Sequence, residues 1–444
     1  MARKDKVKKS RKNTQDDGSS ISFAGKCIFY ISKAVNTLRD STPIKRAVSR
    51  QKELVKARCG TDSGYAATAV GMRLSRILLI IALVITILLG VIFSAGRLAV
   101  DNVYYMALDI GYMNSYNEKP TGKLNYTKPQ HSGDYALYKN GLVSASNNEI
   151  KIFNATGRVT LTSGDIFAEP VIVTSNKYFI VYDLGGHKFS VYNSFKRIET
   201  VSLDGKIAYA AMCEDGDFVI VEKTQDYNSV VRTYNESCEL VSKYSTSGYA
   251  LSAEMSENGK YTAVLTTSVK DGEMSAKLTV LKQNRKRVYA EVELEGVTPY
   301  ECRFIDNNRI AVVCADRAYI YSINGKLKGE YTYPEGRLAY VSYTQGSMAL
   351  LFEQDVVNGR NSLAVIGKNG KLQYSEKIQG SFTDMQVYDN YVFLLTNNGI
   401  YKLNYDTGIM TVREGKDTFG KILVCDKNKI LLCTDSRGIY YNME

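Results

Sequence analysis

The sequence contains two histidines, His131 and His187, and a Ser-His-Asp or Cys-His catalytic group would have to use one of them. Neither lies in the local pattern of a known nucleophile, such as G-x-S-x-G, and His187 follows a Gly-Gly pair in an expected loop. The motifs H-E-x-x-H, Walker A and Cys-x-x-Cys are absent from the sequence. We therefore predict that the protein is not an enzyme and has no catalytic or cofactor-binding residues.

The acidic run from Glu214 to Asp217 is the strongest candidate for a metal site in the sequence. A calcium ion takes about six to eight oxygen ligands, and this run lacks the spacing of a calcium loop. A tight turn between two strands accounts for the same residue types. We therefore predict a turn at this position and no metal site.

The eight cysteines leave two possibilities open. Cys27 and Cys59 are near the N-terminus, and six others follow: Cys213, Cys238, Cys302, Cys314, Cys425 and Cys433. Six cysteines on the outside of a cell could form three disulfides. A cysteine in an apolar strand also packs well as a small hydrophobic residue.

The net charge of +11 is concentrated at one end of the chain. Residues 1–76 contain 18 of the 57 basic and 6 of the 46 acidic residues, which leaves 39 basic and 40 acidic residues in 77–444. A nucleic-acid-binding protein carries its positive patch on the folded domain. The near-neutral remainder of the chain therefore argues against nucleic acid as a partner.

Residues 77–96 form an uncharged apolar segment at the boundary between these two charge regimes. A helix rises about 1.5 Å per residue, so 20 residues cross a hydrocarbon core of roughly 30 Å. Lys and Arg are more frequent just before the segment than just after it, which places the N-terminus in the cytoplasm. We predict one transmembrane helix at 77–96 in a single-pass cell-membrane protein with an extracellular C-terminal domain.

Residues 1–76 are predicted to form a basic cytoplasmic tail that is disordered at its start and partly helical later. Apolar residues recur at helical spacing from 24 to 39, and a second helical stretch is expected from 43 to 58. Basic amphipathic helices beside a membrane anchor commonly lie on anionic lipid. The alternative is that these basic residues only fix the topology of the chain.

The part of the chain beyond the membrane segment is predicted to be all-β. After a membrane-proximal strand and linker at 97–133, residues 134–444 show short runs rich in Val, Ile, Tyr and Phe between Asn, Asp and Gly turns. A polar residue followed by glycine recurs seven times, as in Asp204-Gly205 and Glu335-Gly336, at intervals of 35 to 48 residues. A period of roughly 40 to 45 residues with four strands per unit predicts a β-propeller.

The repeat predicts eight blades, with seven as the alternative. The last unit, 418–444, supplies only three strands, and its open edge requires a fourth strand from elsewhere in the chain. The apolar segment 102–112, just after the membrane, is the predicted source of that closing strand.

Two segments carry a resemblance to known propeller families. Residues 150–158 (IKIFNATGR) and 400–408 (IYKLNYDTG) resemble the quinoprotein-type and WD40-type repeat, in which a strand ends in an Asp/Asn-x-Thr-Gly turn. The layout of basic tail, single span and outer propeller is similar to that of uncharacterised membrane-anchored propeller proteins of clostridia and related Gram-positive bacteria. Quinoprotein repeats carry a docking tryptophan, and this sequence has no Trp, so no quinone cofactor is expected.

Propellers bind through the face formed by the b–c and d–a connections, and here the b–c connections vary most in length. The longest are predicted at 267–275 and 353–362. Irregular loops on a rigid scaffold tend to carry function. The candidate partner-binding residues are therefore Asp226, Tyr227, Asp271, Glu273, Arg317, Asp355, Arg360 and Arg437.

These observations predict a non-enzymatic, membrane-tethered binding or scaffolding protein at the cell surface. Its propeller would recognise an envelope protein or polymer through one face. The alternative is an envelope enzyme acting on carbohydrate or peptide, which requires carboxylates or a buried histidine around the central channel.

Overall fold

The structure is a computed structural model. It describes residues 75–86, 123–126, 133–139, 141–154, 156–270, 272–283, 288–397, 399–414 and 418–443, together with Ser49, Glu53 and Met72. The chain divides into two compact units, residues 1–104 and 105–444.

The described part of the N-terminal unit is an α-helix, α1, at residues 75–86. Its apolar side chains are exposed along its length, and Leu79 and Leu83 are 70% and 61% exposed. Within the described residues, none of the helices has the length and hydropathy needed to span a bilayer. Residues 87–96 of the predicted span lie outside the described residues. So do the predicted tail helices, apart from Ser49 and Glu53, which are helical.

The C-terminal unit is a β-propeller of eight four-stranded antiparallel sheets. Blades 1 to 7 are each built from four consecutive strands, named a to d from the channel outward. The first four blades are blade 1, β2 (Gly133–Tyr138), β3 (Gly141–Ser146), β4 (Ile150–Phe153) and β5 (Val159–Ser163); blade 2, β6 (Pro170–Thr174), β7 (Phe179–Asp183), β8 (Lys188–Tyr192) and β9 (Arg197–Ser202); blade 3, β10 (Lys206–Met212), β11 (Phe218–Lys223), β12 (Ser229–Tyr234) and β13 (Leu240–Thr246); and blade 4, β14 (Tyr249–Met255), β15 (Tyr261–Lys270), β16 (Glu273–Lys282) and β17 (Val288–Leu294). The next three are blade 5, β18 (Pro299–Asp306), β19 (Arg309–Cys314), β20 (Arg317–Ser322) and β21 (Leu327–Thr332); blade 6, β22 (Arg337–Thr344), β23 (Ser347–Asp355), β24 (Arg360–Gly367) and β25 (Leu372–Gln379); and blade 7, β26 (Phe382–Tyr388), β27 (Tyr391–Thr396), β28 (Gly399–Asn404) and β29 (Ile409–Glu414).

Blade 8 is composite, and this confirms the prediction of an incomplete last unit. Its strands a to c are β30 (Lys421–Asp426), β31 (Lys429–Cys433) and β32 (Arg437–Asn442), and strand d is β1 (Lys123–Asn125). The prediction that residues 102–112 supply this strand is wrong: the closing strand comes from the stretch assigned to the linker. Residues 102–112 lie outside the described residues. The eight-blade count is confirmed.

The closing strand is defined by one buried side chain. Leu124 pairs with Gly438 in register and is fully buried among Leu142, Phe153 and Leu431. Lys123 and Asn125 flank it, so the strand alternates polar, apolar, polar as a half-buried strand does. The pattern is only three residues long, which is why hydrophobic periodicity did not reveal it.

The inner and outer strands differ in burial, as the repeat requires. Strand b of blade 3, β11, buries five of its six residues, whereas the outermost strand of blade 2, β9, is almost wholly exposed. Aromatic rings fill the space between and within blades. Phe179 stacks on Tyr192 with ring centroids 5.0 Å apart, and Phe218 stacks on Tyr234 at 4.9 Å.

The six cysteines of the propeller are free thiols. Cys302 and Cys314 lie in one apolar cluster, where they pack as small hydrophobic side chains beside Val312. Cys302 also receives a hydrogen bond from the Ser252 hydroxyl at 3.3 Å. Of the two possibilities left open by the sequence, the structure shows the packed thiols.

Candidate functional site

One face of the propeller carries the b–c and d–a connections, and we call it the upper face. It includes the b–c connections at 184–187, 224–228 and 356–359 and the d–a connections at 164–169 and 295–298. Nine large apolar side chains are exposed in these connections or at the adjoining strand ends: Ile166, Leu184, Tyr227, Tyr249, Val269, Met274, Tyr300, Val356 and Val357.

A second group of exposed apolar residues has a simpler explanation. Six outermost strands expose an apolar side chain at their first or second residue: Val159, Ile198, Leu240, Leu327, Leu372 and Ile409. This position repeats from blade to blade, so it belongs to the repeat itself. The residues of the upper face do not repeat, and Val357, at 94%, is the most exposed of them. Irregular apolar exposure marks a binding surface better than a regular pattern does.

Blade 4 extends above its neighbours through a long hairpin. Strands β15 and β16 stay paired up to Lys270 and Glu273. Val269 and Met274 face each other across this tip and are 75% and 60% exposed. The sequence predicted irregular loops at 267–275 and 353–362, and the bounds of both are wrong. Strands β15 and β16 continue to Lys270 and Glu273, and the connection in blade 6 is only 356–359. The dipeptide Asp271-Gly272, a strong hairpin signal, was the cue that should have revealed the blade 4 hairpin.

Three of the predicted charged residues, Arg317, Asp355 and Arg360, are engaged within their own blades. Arg317 binds Asp316 and Glu330, each at 2.7 Å. Asp355 accepts hydrogen bonds from Asn358 and lies 3.2 Å from Arg360, and the Asn358 amide holds the pKa of this carboxyl below its ordinary value. The structure therefore brings together Asp355 and Arg360 from the predicted set.

The remaining predicted residues are placed as follows. Asp226 and Tyr227 lie exposed in the b–c connection of blade 3, and Glu273 is exposed at the blade 4 hairpin. Arg437 begins β32 and pairs with Asn125 of the closing strand. Asp271 lies outside the described residues. The exposed valines and Met274 were not predicted, because apolar residues in the sequence indicate a core position and only the fold shows that these are exposed.

The acidic run and the histidines named in the sequence analysis show no catalytic or metal-binding arrangement in the described residues. The run Glu214 to Asp217 forms a turn in which the backbone N–H of Cys213 donates to the Asp217 carbonyl at 2.9 Å. His187 is exposed, with Nδ1 3.2 Å from the Leu203 carbonyl, and His131 lies outside the described residues. In the described part of the chain, no group of three His, Cys, Asp or Glu side chains could hold a metal ion.

The central channel contains half-buried carboxylates on the inner strands of blades 4 and 5. Glu254 accepts a hydrogen bond from Arg303 at 2.6 Å, and Glu301 accepts one from Tyr343 at 2.7 Å. A cavity of about 220 Å³ at the a–b end of the channel is lined by Glu254 and Tyr343, with Glu257 nearby. Burial raises the pKa of Glu254 to about 7 against the attraction of Arg303.

The pH dependence of stability tests this account of Glu254. The folded protein keeps a proton on Glu254 up to about pH 7, whereas the unfolded chain releases it near the ordinary value of 4.5. The folded state therefore binds more protons in this window, and its stability falls as the pH rises through it. Relative to the Glu254→Gln variant, the free energy of unfolding of wild type should fall by about 3 kcal/mol between pH 4.5 and 7.5. Urea unfolding at each pH measures this difference.

Glu295→Gln is the control, because Glu295 is an exposed carboxylate in the connection between the same two blades. Its difference from wild type should stay constant across the pH range. A constant difference for Glu254→Gln as well would contradict the raised pKa.

Comparison with solved structures agrees with the propeller fold. The chain is similar to Sqt1 of Chaetomium thermophilum, solved bound to the N-terminus of the ribosomal protein L10, with 10% identity and a TM-score of 0.52 over 73% of this chain and 99% of that one. It is also similar to BamB of Moraxella catarrhalis, with 9% identity and a TM-score of 0.48 over 72% and 98%. At 10% identity, the similarity to Sqt1 shows the fold alone.

The sequence comparisons complete the assignment. No curated protein matches the chain. Residues 113–439, which include the closing strand and nearly all of the eight blades, match one family, and the chain therefore belongs to DUF5711, a family of unknown function.

Proposed function

We propose that this protein is a non-enzymatic, membrane-tethered binding or scaffolding protein whose propeller recognises a protein or cell-envelope component through its upper face. The observation that carries the proposal is the irregular set of exposed apolar side chains on that face. Val269 and Met274 extend on the blade 4 hairpin, and Val356 and Val357 occupy the b–c turn of blade 6.

Burial of these exposed apolar side chains against a partner would contribute favourable free energy of binding. Burying a Val or Met side chain contributes about 1.5 to 3 kcal/mol relative to leaving it exposed. Polar residues normally fill tight connections, so two consecutive valines in a turn are costly unless they are covered. A few such anchors supply most of the affinity of a protein interface. The Sqt1 propeller, solved with the N-terminus of another protein, is an example of this use of the fold.

The tether is proposed from residues 77–96, with the N-terminus in the cytoplasm and the propeller outside. The exposed apolar surface of α1 supports it, because such a surface is stable in hydrocarbon and unfavourable in water. The basic tail would then contact anionic lipid or a cytoplasmic partner. Protease added to intact cells should digest the propeller and spare the tail. Digestion of the propeller only after the cells are broken would reject this topology.

Crosslinked pull-down from cells that express the protein tests the binding surface. We expect the quadruple change Val269→Lys, Met274→Lys, Val356→Ser and Val357→Ser to reduce recovery of the specific partner at least roughly tenfold, because one lost anchor already contributes that much. Recovery is measured by quantitative mass spectrometry of the captured proteins and polymers.

Ile409→Lys provides the matched control, since Ile409 is 65% exposed on an outermost strand. This variant should capture the partner as wild type does. Equal capture by the quadruple variant would mean that the upper face is not the binding surface. Both proteins should unfold at wild-type temperatures, because all five side chains are exposed.

The second candidate function is an envelope enzyme acting on carbohydrate or peptide. One observation in the central channel favours it. Glu254 lines a cavity, and its pKa is raised by burial and, to a smaller extent, by the charge of a second carboxylate, Glu301. Both carboxylates are engaged, by Arg303 and Tyr343, as structural pairs are. If the channel is catalytic, Glu254→Gln should abolish turnover of envelope carbohydrate or peptide while partner capture is unchanged. Absence of turnover by wild type on both substrate classes would favour the binding protein.

A further inference from the structure

A polar cleft of about 440 Å³ lies on the upper face beside the b–c turn of blade 6. It is formed by the ends of β23 and β24 and by the outermost strand β25, and the buried Ile378 side chain forms part of its lining. The other lining side chains are all polar: Gln354, Asn358, Arg360, Asn361, Lys377 and Gln379. Four of these six are amides.

The four amides are oriented by the protein itself, because each donates its NH₂ group to a neighbouring acceptor. Asn361 Nδ2 donates to the carbonyls of Gly359 (2.9 Å) and Gly380 (2.7 Å), Asn358 Nδ2 to Asp355 (2.6 Å), Gln354 Nε2 to the Glu335 carbonyl (3.2 Å), and Gln379 Nε2 to the Asn358 carbonyl (3.5 Å). No described group donates to the four amide oxygens. The cleft thus offers four amide oxygens as acceptors, which suit the N–H groups of a ligand.

Two cations lie among these acceptors. Lys377 is exposed and forms no ion pair with any described residue. Arg360 has a 69% exposed side chain and shares its charge with Asp355, 3.2 Å away. Lys377 thus contributes a full positive charge and Arg360 a partly neutralised one. Together they suit a single carboxylate, which would accept charge-assisted hydrogen bonds from both side chains.

The rim of the cleft is apolar on one side. Val356 and Val357, 74% and 94% exposed, precede Asn358 in the same turn. An aromatic ring, on which a nucleic-acid base would stack, is not among the seven lining residues. A polypeptide segment fits these three features. Its backbone N–H groups suit the acceptors, an acidic side chain suits the cations, and an aliphatic side chain suits the apolar rim.

We propose that this cleft binds an extended peptide segment that carries an acidic residue next to an aliphatic one. The amide oxygens accept from the backbone N–H groups of the peptide, Lys377 and Arg360 bind the carboxylate, and the two valines cover the aliphatic side chain. The inference rests on the proposed function and specifies the partner as a protein with an exposed acidic and aliphatic segment.

The test is selection of a random 12-residue peptide library on the full-length protein in detergent. We expect the enriched peptides to share Asp or Glu within two residues of Val, Ile or Leu. Fluorescence anisotropy of labelled selected peptides should show roughly tenfold weaker binding to Lys377→Glu, the effect of about 1.4 kcal/mol from one charge-assisted contact.

Lys371→Glu is the matched control, because it makes the same charge change in the turn at the other end of β25. Its peptide affinity should equal that of wild type. Enriched peptides that bind Lys377→Glu as tightly as wild type would overturn the inference. So would a soluble envelope polysaccharide that binds in a Lys377-dependent manner while no peptide is enriched.

The upper face as a binding surface and the cleft as a peptide site can be tested separately. If crosslinked pull-down with Lys377→Glu still recovers the partner that the quadruple variant loses, the upper face is a binding surface and the peptide cleft is rejected. If neither variant changes recovery, the proposed function fails as well.

Discussion

Replacing Leu124 with aspartate is expected to open the propeller ring between blade 8 and blade 1. Leu124 lies at the centre of the three-residue strand β1, and its side chain is fully buried. Truncating a buried leucine costs about 2 to 5 kcal/mol, and a buried unpaired carboxylate costs more. We expect a loss of at least about 4 kcal/mol in the free energy of unfolding, measured by urea denaturation of the full-length protein in detergent.

Opening should also expose the last blade to protease. The backbone N–H of Tyr126 donates to the Ser436 carbonyl at 3.0 Å and its hydroxyl to the Thr434 carbonyl at 2.7 Å, so the loss of β1 frees the connection before β32. Limited proteolysis of Leu124→Asp should therefore cut first between β31 and β32. Wild type should resist at the same site under the same conditions.

Asn125→Asp is the control for this experiment. Asn125 is the next residue of the strand, its side chain is exposed, and its backbone pairs with Arg437. The same charge at this position should change stability by less than about 0.5 kcal/mol. Equal stability and proteolysis of Leu124→Asp and wild type would show that β1 does not hold the ring closed.

Polar contacts also join blade 8 to blade 1, including a hydrogen bond from the Tyr135 hydroxyl to the Asp435 carbonyl at 3.1 Å. Besides β1, the Lys421 ammonium on the inner strand of blade 8 donates to Asp134 at 2.9 Å and to the Tyr135 carbonyl at 2.8 Å in blade 1. Lys421 is 40% exposed, so this pair adds little beside the burial of Leu124. The apolar contact therefore dominates, and an aspartate at 124 cannot be compensated by the ion pair.

The repeat was predictable because its turns are local. Asn307-Asn308 lies in the turn between β18 and β19, and Asn324-Gly325 lies in the turn between β20 and β21 of blade 5. Gly325 has φ of +79°, a conformation that asparagine and glycine adopt at low cost. Local chemistry of this kind survives in the sequence, so the architecture and the blade count followed from it.

The candidate site was less predictable because its parts come from different strands. Lys377 on β25 joins Gln354 on β23 and Arg360 on β24 only through sheet pairing. The sequence placed Asp355 and Arg360 in a binding loop, but it could not show that the two side chains pair with each other at 3.2 Å. The exposure of Val356 and Val357 also depends on the fold, because the same residues inside a strand would be core.

The second large effect is expected at Arg232, whose removal leaves a buried carboxylate without its partner. Glu222 is fully buried, and its Oε1 lies 2.6 Å from the Arg232 Nε. Its Oε2 accepts a hydrogen bond from the Gly205 N–H at 3.0 Å. Breaking a buried ion pair on one side costs about 3 to 5 kcal/mol. Arg232→Met should lower the free energy of unfolding by that amount in urea denaturation.

A double substitution separates the loss of the pair from the loss of packing. Glu222→Gln with Arg232→Met removes the charge and keeps an acceptor for Gly205, so it should recover most of the lost stability. Arg317→Met, which breaks an exposed pair with Asp316, should cost less than about 1 kcal/mol. If the double variant is no more stable than Arg232→Met, packing of the arginine stem, and not the unpaired charge, is the source of the effect.

The same pair connects stability to the upper face. Gly205 lies in the d–a connection into blade 3, and Glu222 lies on β11 just before the b–c connection that carries Tyr227. A Cβ at position 205 would come within 2.5 Å of the Lys223 carbonyl, so only glycine allows the two connections to approach this closely. The pair thus fixes two parts of the binding face against each other. Arg232→Met should therefore weaken partner capture even at temperatures where the variant remains folded, whereas the double variant should retain it.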